Sequence, residues 1–249
     1  MASTDVAYCT LEDVREVLQE AEISFGDAEL ADEFVEAAIL GESEWIQEDT
    51  NRHWYDADAE IDDPDDILAD GPLTHEHDEK DVPSSPHSDH VQMFGRGRGR
   101  QARYPTRFAG PYTRVALTRR DVSEITELLV RQQDGSVDDW VANDRRSEGR
   151  GEDYYVQIDD ALGMSRLYLN SKSLPRLSDF GAAVVATYDY GIPQIPKTVR
   201  TATACFAGAH LLRDDESAVA IPDSGQLMSL ETKADKLYDR GMRLLEIHR

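Results

Sequence analysis

Cysteine, lysine and long apolar runs are all scarce in this sequence, and each scarcity excludes a class of protein. The two cysteines, Cys9 and Cys205, lie far apart without metal-ligand spacing, which excludes a disulfide scaffold and a zinc ribbon. No apolar run approaches the length that spans a bilayer, and the N terminus lacks the basic and then apolar start of a secretion signal. We therefore expect a soluble protein, without a membrane partner, that acts where it is made.

The shortage of lysine accompanies a large excess of acid. Aspartate and glutamate number 50 against 26 lysines and arginines, which gives a net charge of −24. The only lysines are Lys80, Lys172, Lys197, Lys233 and Lys236. A dense carboxylate surface stays hydrated in brine, where salt screens the repulsion between like charges. This composition predicts a halophilic source, and an ordinary acidic protein is the alternative.

Short catalytic signatures are also missing. The sequence contains no nucleophile elbow, no P-loop, no CxxC pair and no paired carboxylates on an apolar helical stripe. We therefore predict that the protein is not an enzyme and has no catalytic residues and no cofactor.

Two acidic and histidine-rich stretches are the candidates for metal binding. Asp56, Asp58 and Glu60 alternate like the first ligands of a calcium loop, but Ile61 and Ile67 stand where an EF-hand has glycine and glutamate. Further along, imidazoles two and three residues apart accompany two aspartates, as in a zinc or nickel site: His75, His77, His87, His90, Asp78 and Asp89. No HExxH helix frames them, so we favour a polar loop without metal, with a metal-dependent enzyme as the alternative.

One basic segment interrupts the acidic chain. Residues 95–120 include no acid, and a glycine-arginine alternation opens the segment: Arg96, Arg98, Arg100, Arg103 and Arg107. Such a segment, with aromatic residues nearby, is typical of a flexible arm that binds nucleic acid. In so acidic a protein we favour a contact with the carboxylates of another subunit, because arginine pairs with carboxylates in a bidentate manner.

Hydrophobic periodicity predicts helices at both ends of the chain. Thr10 and Asp13 form an approximate capping box before the first helix. The second helix is expected to bury one stripe: Leu30, Phe34, Ala37 and Trp45, with Ile46 beside it. A third helix begins after Pro196 and carries small residues around one aromatic: Val199, Ala202, Phe206, Ala209 and Leu212. A fourth helix has its own stripe: Leu227, Leu230, Ala234, Leu237 and Leu244.

Strands of period two are predicted between these helices. Two hairpins fill residues 114–173, turning at Asp134-Gly135 and Leu162-Gly163, and one more strand over 182–190 buries alternate side chains, for five or six strands in all. The predicted fold class is α+β: an antiparallel helical bundle formed by the N- and C-terminal helices, with an inserted antiparallel β subdomain and long loops. We expect a helical hairpin over 1–54, a largely loop insertion over 55–110 that is acidic and His-rich and then Arg-rich, the β subdomain over 111–191, and C-terminal helices over 192–249 that complete the bundle.

Three segments resemble the head-tail connector, or adaptor, proteins of tailed viruses. They are YCTLEDVREVL (8–18), AAILGESEWIQEDTNRHW (37–54) and the strand, turn and helix over 182–217. That family packs a small antiparallel helical bundle against a variable β insertion and forms rings, commonly of twelve subunits, under the portal of the capsid. The resemblance covers the two ends of the chain, and residues 55–110 have no counterpart in it.

The resemblance implies a structural virion protein in the neck between capsid and tail of a virus of halophilic archaea, assembled in the host cytoplasm. Its implied partners are further copies of the chain, the portal, tail or neck completion proteins and the major capsid protein, while genomic DNA passes through the ring without specific binding. The family's C-terminal segment docks on the portal, a role carried here onto Leu244, Leu245, Ile247 and Arg249. The arginines over 96–107 would contact a neighbouring subunit or the capsid. A nucleic-acid-binding protein and a tail completion or stopper protein are the rivals.

Overall fold

The chain divides into two compact units. The computed structural model describes residues 6–21, 32–58, 67–79, 108–109, 112–159, 162–174, 183–213 and 224–249. The helical unit comprises Met1–Pro72 and Ile192–Arg249, and the β-unit is the intervening Leu73–Gly191. Within these ranges, four α-helices and two antiparallel sheets confirm the α+β class, with helices from both ends of the chain and the sheets inserted between them. Among the described residues, no helix is both long and apolar enough to cross a membrane.

The helical unit is built around one central helix. Its helices are α1 (Leu11–Glu20), α2 (Asp32–Thr50), α3 (Lys197–Arg213) and α4 (Ser224–Leu245), followed by a short 3₁₀ helix over Glu246–His248. Helices α1, α2 and α4 each pack against α3. The predicted stripe of α3 is confirmed, but burial extends to every side chain from residue 202 to 209. Apart from Phe206 these side chains are short, so the neighbours approach closely, and a Cβ at Gly208 would lie 3.3 Å from Leu18.

The predicted capping box of α1 is confirmed. The Asp13 amide donates to Thr10 Oγ1 (3.3 Å) and the Thr10 amide donates to Asp13 Oδ2 (2.8 Å), which satisfies two donors at the helix start. Arg200 of α3 donates from Nε to the same Asp13 oxygen at 2.6 Å. The cap therefore also ties α1 to the central helix.

The buried face of α2 differs from the predicted one. Phe34 is 46% exposed and Trp45 is 36% exposed, while Ala37 is also exposed and Leu30 lies outside the described residues. The residues that α2 buries are Val35, Ala38, Ile39, Ser43, Ile46, Gln47 and Thr50. The predicted stripe is wrong because it followed the largest apolar side chains, whereas close packing against the small residues of α3 selects compact ones and leaves the aromatics at the rim.

The β-unit consists of two four-stranded antiparallel sheets. Sheet I has the order β1 (Leu73–Glu79), β8 (Val184–Tyr190), β4 (Val122–Arg131) and β5 (Val137–Asp139). Sheet II has the order β2 (Phe108–Ala109), β3 (Tyr112–Ala116), β7 (Ser165–Asn170) and β6 (Tyr154–Ile158). Buried side chains of both sheets form one core, with Ile125 and Leu128 from sheet I and Leu167 and Leu169 from sheet II. The outer faces of the two sheets therefore point away from each other.

Both predicted hairpins and the predicted burial along β8 are confirmed. Strand β4 pairs with β5 around a turn in which Gly135 has φ +85°, and β6 pairs with β7 around Gly163 with φ +65°. Positive φ favours glycine, so the sequence marks both turns. The buried residues of β8 alternate as expected: Val184, Ala186, Tyr188 and Tyr190.

A strand that lies within the predicted loop insertion completes sheet I. The sequence pattern predicts loop over residues 73–79, but this segment pairs along its whole length with β8, beginning with Leu73 opposite Tyr190. The loop prediction is wrong here because the inward positions hold His75 and His77 in place of aliphatic residues. Backbone pairing with β8 forms the strand without an apolar stripe of its own. The described part of the chain thus has eight strands where five or six are predicted.

One arginine holds the exposed link between β5 and β6. Arg146 Nη2 donates to Asp138 Oδ2 at 3.0 Å, and Nη1 lies 3.5 Å from Asp153 Oδ1. The guanidinium carbon also lies 4.6 Å from the ring centroid of buried Trp140. Both carboxylates are half-buried, so the arginine neutralises charge that the surrounding core would otherwise disfavour.

Candidate functional site

The C-terminal end of the chain is fastened to the helical unit by side-chain contacts. Arg249 Nε donates to Asp49 Oδ2 of α2 at 2.6 Å, and His248 Nε2 lies 2.7 Å from Thr198 Oγ1 of α3. The His248 ring meets buried Trp54 edge-on, with centroids 5.5 Å apart. Burial, and then the charge of Arg52, lowers the pKa of His248 below its usual range, which favours the neutral ring. The last residues therefore have a defined position on the unit.

The four residues assigned to portal docking differ in exposure. Leu245 is fully buried and offers no surface to a partner, so that assignment is corrected and the side chain belongs to the interior of the helical unit. The reason is helical spacing, because Leu245 continues the buried positions Leu237 and Gly241 at intervals of four residues. Ile247 is 71% exposed, Leu244 is half-buried and Arg249 is exposed. For these three, portal docking stays a prediction.

A cleft of about 400 Å³ lies between α2 and α4, and α3 supplies most of its lining. Phe206 of α3 is packed edge-on by Trp45 of α2 and by Tyr238 of α4, with ring centroids 5.2 and 5.3 Å apart. Arg213 stacks on Tyr238 with its guanidinium carbon 5.3 Å from the ring centroid, and His210 Nδ1 lies 3.2 Å from a carboxylate oxygen of Glu42. The cleft thus combines aromatic surface with charged groups. Such a lining can receive a side chain of another protein.

A buried histidine links three segments of the helical unit. His53 Nε2 lies 2.8 Å from the carbonyl oxygen of Gly71, so Nε2 must donate, and Nδ1 then accepts from the Tyr8 hydroxyl at 3.1 Å. Burial lowers the pKa of His53 below its usual range, although the Gly71 carbonyl opposes the shift. This network joins the N-terminal segment, the residues after α2 and the segment that ends at Pro72, which is a structural role.

The two cysteines are unreactive core residues. Burial raises the pKa of the Cys205 thiol to about 11 and that of Cys9 further still. Both thiols are fully buried and stay protonated near neutral pH, so neither supplies a nucleophile.

No metal site is found in the part of the chain that the structure describes, where no group of three or more His, Cys, Asp or Glu side chains is arranged to hold an ion. His75 lies edge-on to Tyr188 and Tyr190, with centroids 5.7 and 6.3 Å away, and His77 Nδ1 lies 2.7 Å from Thr118 Oγ1. Of the other predicted ligands, Asp56, Asp58 and Asp78 are described and form no such group, and four lie outside the described residues: Glu60, His87, Asp89 and His90. The arginines of the predicted basic arm also lie outside them: Arg96, Arg98, Arg100, Arg103 and Arg107.

Strand pairing brings together tyrosines and arginines that the sequence analysis did not single out. On the outer face of sheet II, Tyr155 lies beside Tyr168 and Gln157 lies beside Arg166 in the pairing of β6 with β7. A signal was present, because period two in the strands DYYVQID and SRLYLN places these residues on the face opposite buried Tyr154, Leu167 and Leu169, although Tyr168 is itself buried.

Comparison with known proteins gives one structural likeness. No protein-family model matches the chain, and no curated protein matches it. The chain is similar to a chain in a solved structure described as the virion of a native gene transfer agent particle, with 13% sequence identity and a TM-score of 0.45. The likeness covers 88% of this chain and 87% of that chain.

Proposed function

We propose that this protein is a structural component of a tailed-virus particle, a head-tail adaptor that forms a dodecameric ring beneath the portal and joins the capsid vertex to the tail. In this role it has no catalytic activity and needs no cofactor. Genomic DNA passes through the ring without being held, in a virus of a halophilic host.

The observation that carries the proposal is a helical bundle closed by both ends of the chain. Asp13 of α1 accepts from Arg200 of α3, and Glu20 of α1 accepts from Arg240 of α4 at 2.9 Å. Where the chain re-enters the helical unit, the Ile192 amide donates to the His53 carbonyl at 3.0 Å, and the Ile192 carbonyl accepts from the amide of residue 55 at 3.1 Å. The resemblance implies a bundle of this kind around an inserted β subdomain.

The acidic surface of the helical unit suits a channel that DNA must traverse. The exposed residues of α2 include a series of carboxylates: Glu33, Glu36, Glu44, Glu48 and Asp49. Basic channel linings attract phosphates strongly and release counterions, so a carboxylate lining has the opposite effect and lets DNA pass. Exposed Ile247, beside the fastened C-terminal residues, supplies apolar surface for the portal.

The adaptor role is tested on purified particles and on the protein mixed with its portal. Antibody against the chain, viewed by electron microscopy, is expected to label the single capsid vertex that carries the tail. Images of the protein with its portal are expected to show a ring on the portal. Particles that lack the chain, or label spread over the whole capsid, would refute the role.

A further inference from the structure

In a chain with a net charge of −24, the outer face of sheet II is rich in arginine and tyrosine. The strand register places Arg114, Tyr168 and Tyr155 side by side on β3, β7 and β6. Tyr155 and Tyr168 stack with ring centroids 4.7 Å apart and planes 3° apart, and the guanidinium carbon of Arg150 lies 5.9 Å from the Tyr155 centroid. The accessible residues of this Tyr-Arg face are Arg114, Arg150, Tyr155 and Arg166, and Tyr168 is the buried ring (6% exposed) on which Tyr155 stacks.

The guanidinium groups of the Tyr-Arg face are weakly neutralised within the chain. Arg166 lies 4.0 Å from an oxygen of Asp159, at the outer limit of an ion pair. Within the described ranges, Arg114 and Arg150 have no carboxylate at ion-pair distance. Arginine forms bidentate pairs with carboxylates, so these groups are suited to an acidic partner.

The outer face of sheet I has the opposite charge. Its register places Glu76, Thr187 and Glu127 side by side on β1, β8 and β4, and the neighbouring row holds Asp189 and Glu124. Thr187 Oγ1 donates to Glu127 Oε2 at 3.2 Å, which orients that carboxylate. The residues of this acidic face are Glu76, Asp78, Glu124, Glu127 and Asp189, with the cation Arg131 at its end.

The two faces lie on opposite sides of one unit. Both sheets contribute to a single core between them, so the Tyr-Arg face and the acidic face point in opposite directions. Complementary surfaces on opposite sides produce a head-to-tail contact, in which each copy uses one face for each of two neighbours. Such heterologous contacts form closed rings when the rotation between copies closes.

We infer that the β-units of neighbouring copies associate head to tail, with the Tyr-Arg face of one copy against the acidic face of the next. The inference rests on the proposed adaptor ring for its closure, and it names the surface that joins the subunits. Half-buried Tyr155, backed by the buried ring of Tyr168, supplies apolar area, and the arginines supply charge-assisted hydrogen bonds to the facing carboxylates.

A second copy suits the Tyr-Arg face better than nucleic acid does. Tyrosine and arginine together also bind single strands, by stacking and by contacts with phosphates. However, affinity for phosphates grows with the number of cations engaged, and this face offers only Arg114, Arg150 and Arg166 among the described residues, on a strongly acidic chain. The chain itself presents the complementary carboxylates on every copy.

Charge reversal on each face tests the contact in the full-length protein. One variant carries Arg150→Glu and Arg166→Glu, and the other carries Glu76→Lys and Glu124→Lys. Self-association is measured by sedimentation equilibrium at about 1 M salt, where a Debye length of about 3 Å screens the repulsion between distant charges. We expect the wild type to associate with rising concentration, and each variant to associate at least about tenfold more weakly. As a control, Arg145→Glu with Arg243→Glu changes the net charge equally at exposed positions outside both faces.

Mixing the two variants decides the result. The Tyr-Arg face that one variant keeps can bind the acidic face that the other keeps, so an equimolar mixture is expected to form heterodimers that neither variant forms alone. A misfolded variant cannot do this. A wild type that stays monomeric at every concentration overturns the inference, as does a mixture without recovery. Variants that associate normally also overturn it but leave the adaptor role standing with another interface. If the wild type binds oligothymidine and the arginine variant loses this binding while its self-association is unchanged, the face serves nucleic acid and the inference fails.

Discussion

Two helical glycines are expected to respond in opposite ways to the same substitution. Gly41 lies exposed in the middle of α2, where a Cβ would meet no atom within 4 Å. Gly241 of α4 is buried, and a Cβ there would lie 2.8 Å from Cε1 and 2.9 Å from Cζ of Phe206. Because Trp45 and Tyr238 pack against that ring on α2 and α4, the ring has little room to move.

The magnitudes follow from two opposing effects. Alanine is favoured over glycine in a helix interior by about 1 kcal/mol, at both positions. Overpacking of a well-filled core costs about 1–3 kcal/mol, at Gly241 alone. Gly41→Ala is therefore expected to raise the free energy of unfolding by up to about 1 kcal/mol. Gly241→Ala is expected to leave it unchanged or lower it by up to about 2 kcal/mol, so the two variants differ by about 1–3 kcal/mol.

Urea unfolding, followed by the helical circular dichroism signal at fixed salt, measures this difference. The midpoint is expected to move up for Gly41→Ala and down or not at all for Gly241→Ala, with the slope of the free energy against urea unchanged. Because both variants contain the same new residue in a helix, each is the control for the other. Equal stabilisation by both alanines would show that Phe206 yields freely and would refute the close packing of α4 against α3.

Three further changes probe the buried histidine, the β-unit and the C-terminal end. Burial lowers the pKa of His53, so the neutral ring contributes its full stabilisation above pH 6.5, the ordinary value, and loses it as the pH falls below 6.5. His53→Gln is therefore expected to flatten the dependence of the free energy of unfolding on pH below 6.5. Arg146→Ala is expected to lower the free energy of unfolding by about 2 kcal/mol, because two half-buried carboxylates lose their partner. The control Arg145→Ala, at an exposed position, is expected to change it by less than about 0.5 kcal/mol. Leu245→Ala is expected to lower the free energy of unfolding by about 2–5 kcal/mol, because Leu245 is fully buried. Ile247→Asp is expected to leave the free energy of unfolding unchanged, because Ile247 is exposed, but to abolish co-purification with the portal.

Each of these changes has a result that contradicts its reasoning. An unaltered pH dependence in His53→Gln would mean that another group governs acid stability. Equal losses for Arg146→Ala and Arg145→Ala in urea unfolding would remove the half-buried ion pairs as the cause. Undiminished portal binding by a folded Ile247→Asp variant would exclude the exposed isoleucine from the docking surface.

Features that depend on near neighbours in the chain were predictable from the sequence. Thr10 and Asp13 of the capping box are three positions apart, and the turns at Gly135 and Gly163 each require positive φ, which glycine favours. The C-terminal end was predicted less well. Helical spacing from Leu237 buries Leu245, whereas the predicted stripe ended one residue earlier at Leu244.

Features that depend on a distant partner were not predictable in the same way. The face that α2 buries is selected by the small side chains of α3, which lie more than a hundred residues further along the chain. Strand β1 has polar inward residues and forms because its backbone pairs with β8. In both cases the sequence pattern of the element itself carries no information about the side chains or the backbone groups of its distant partner.

The sequence by itself determined the α+β class, the positions of most elements and the acidity, because helical and strand periods and net charge are properties of the chain alone. Tertiary structure alone decided that the Tyr-Arg face and the acidic face lie on opposite sides of one core. Arg114 and Arg166 approach each other, as do Glu76 and Glu127, through the pairing of strands that are far apart in sequence, and that pairing is set by burial of the opposite faces.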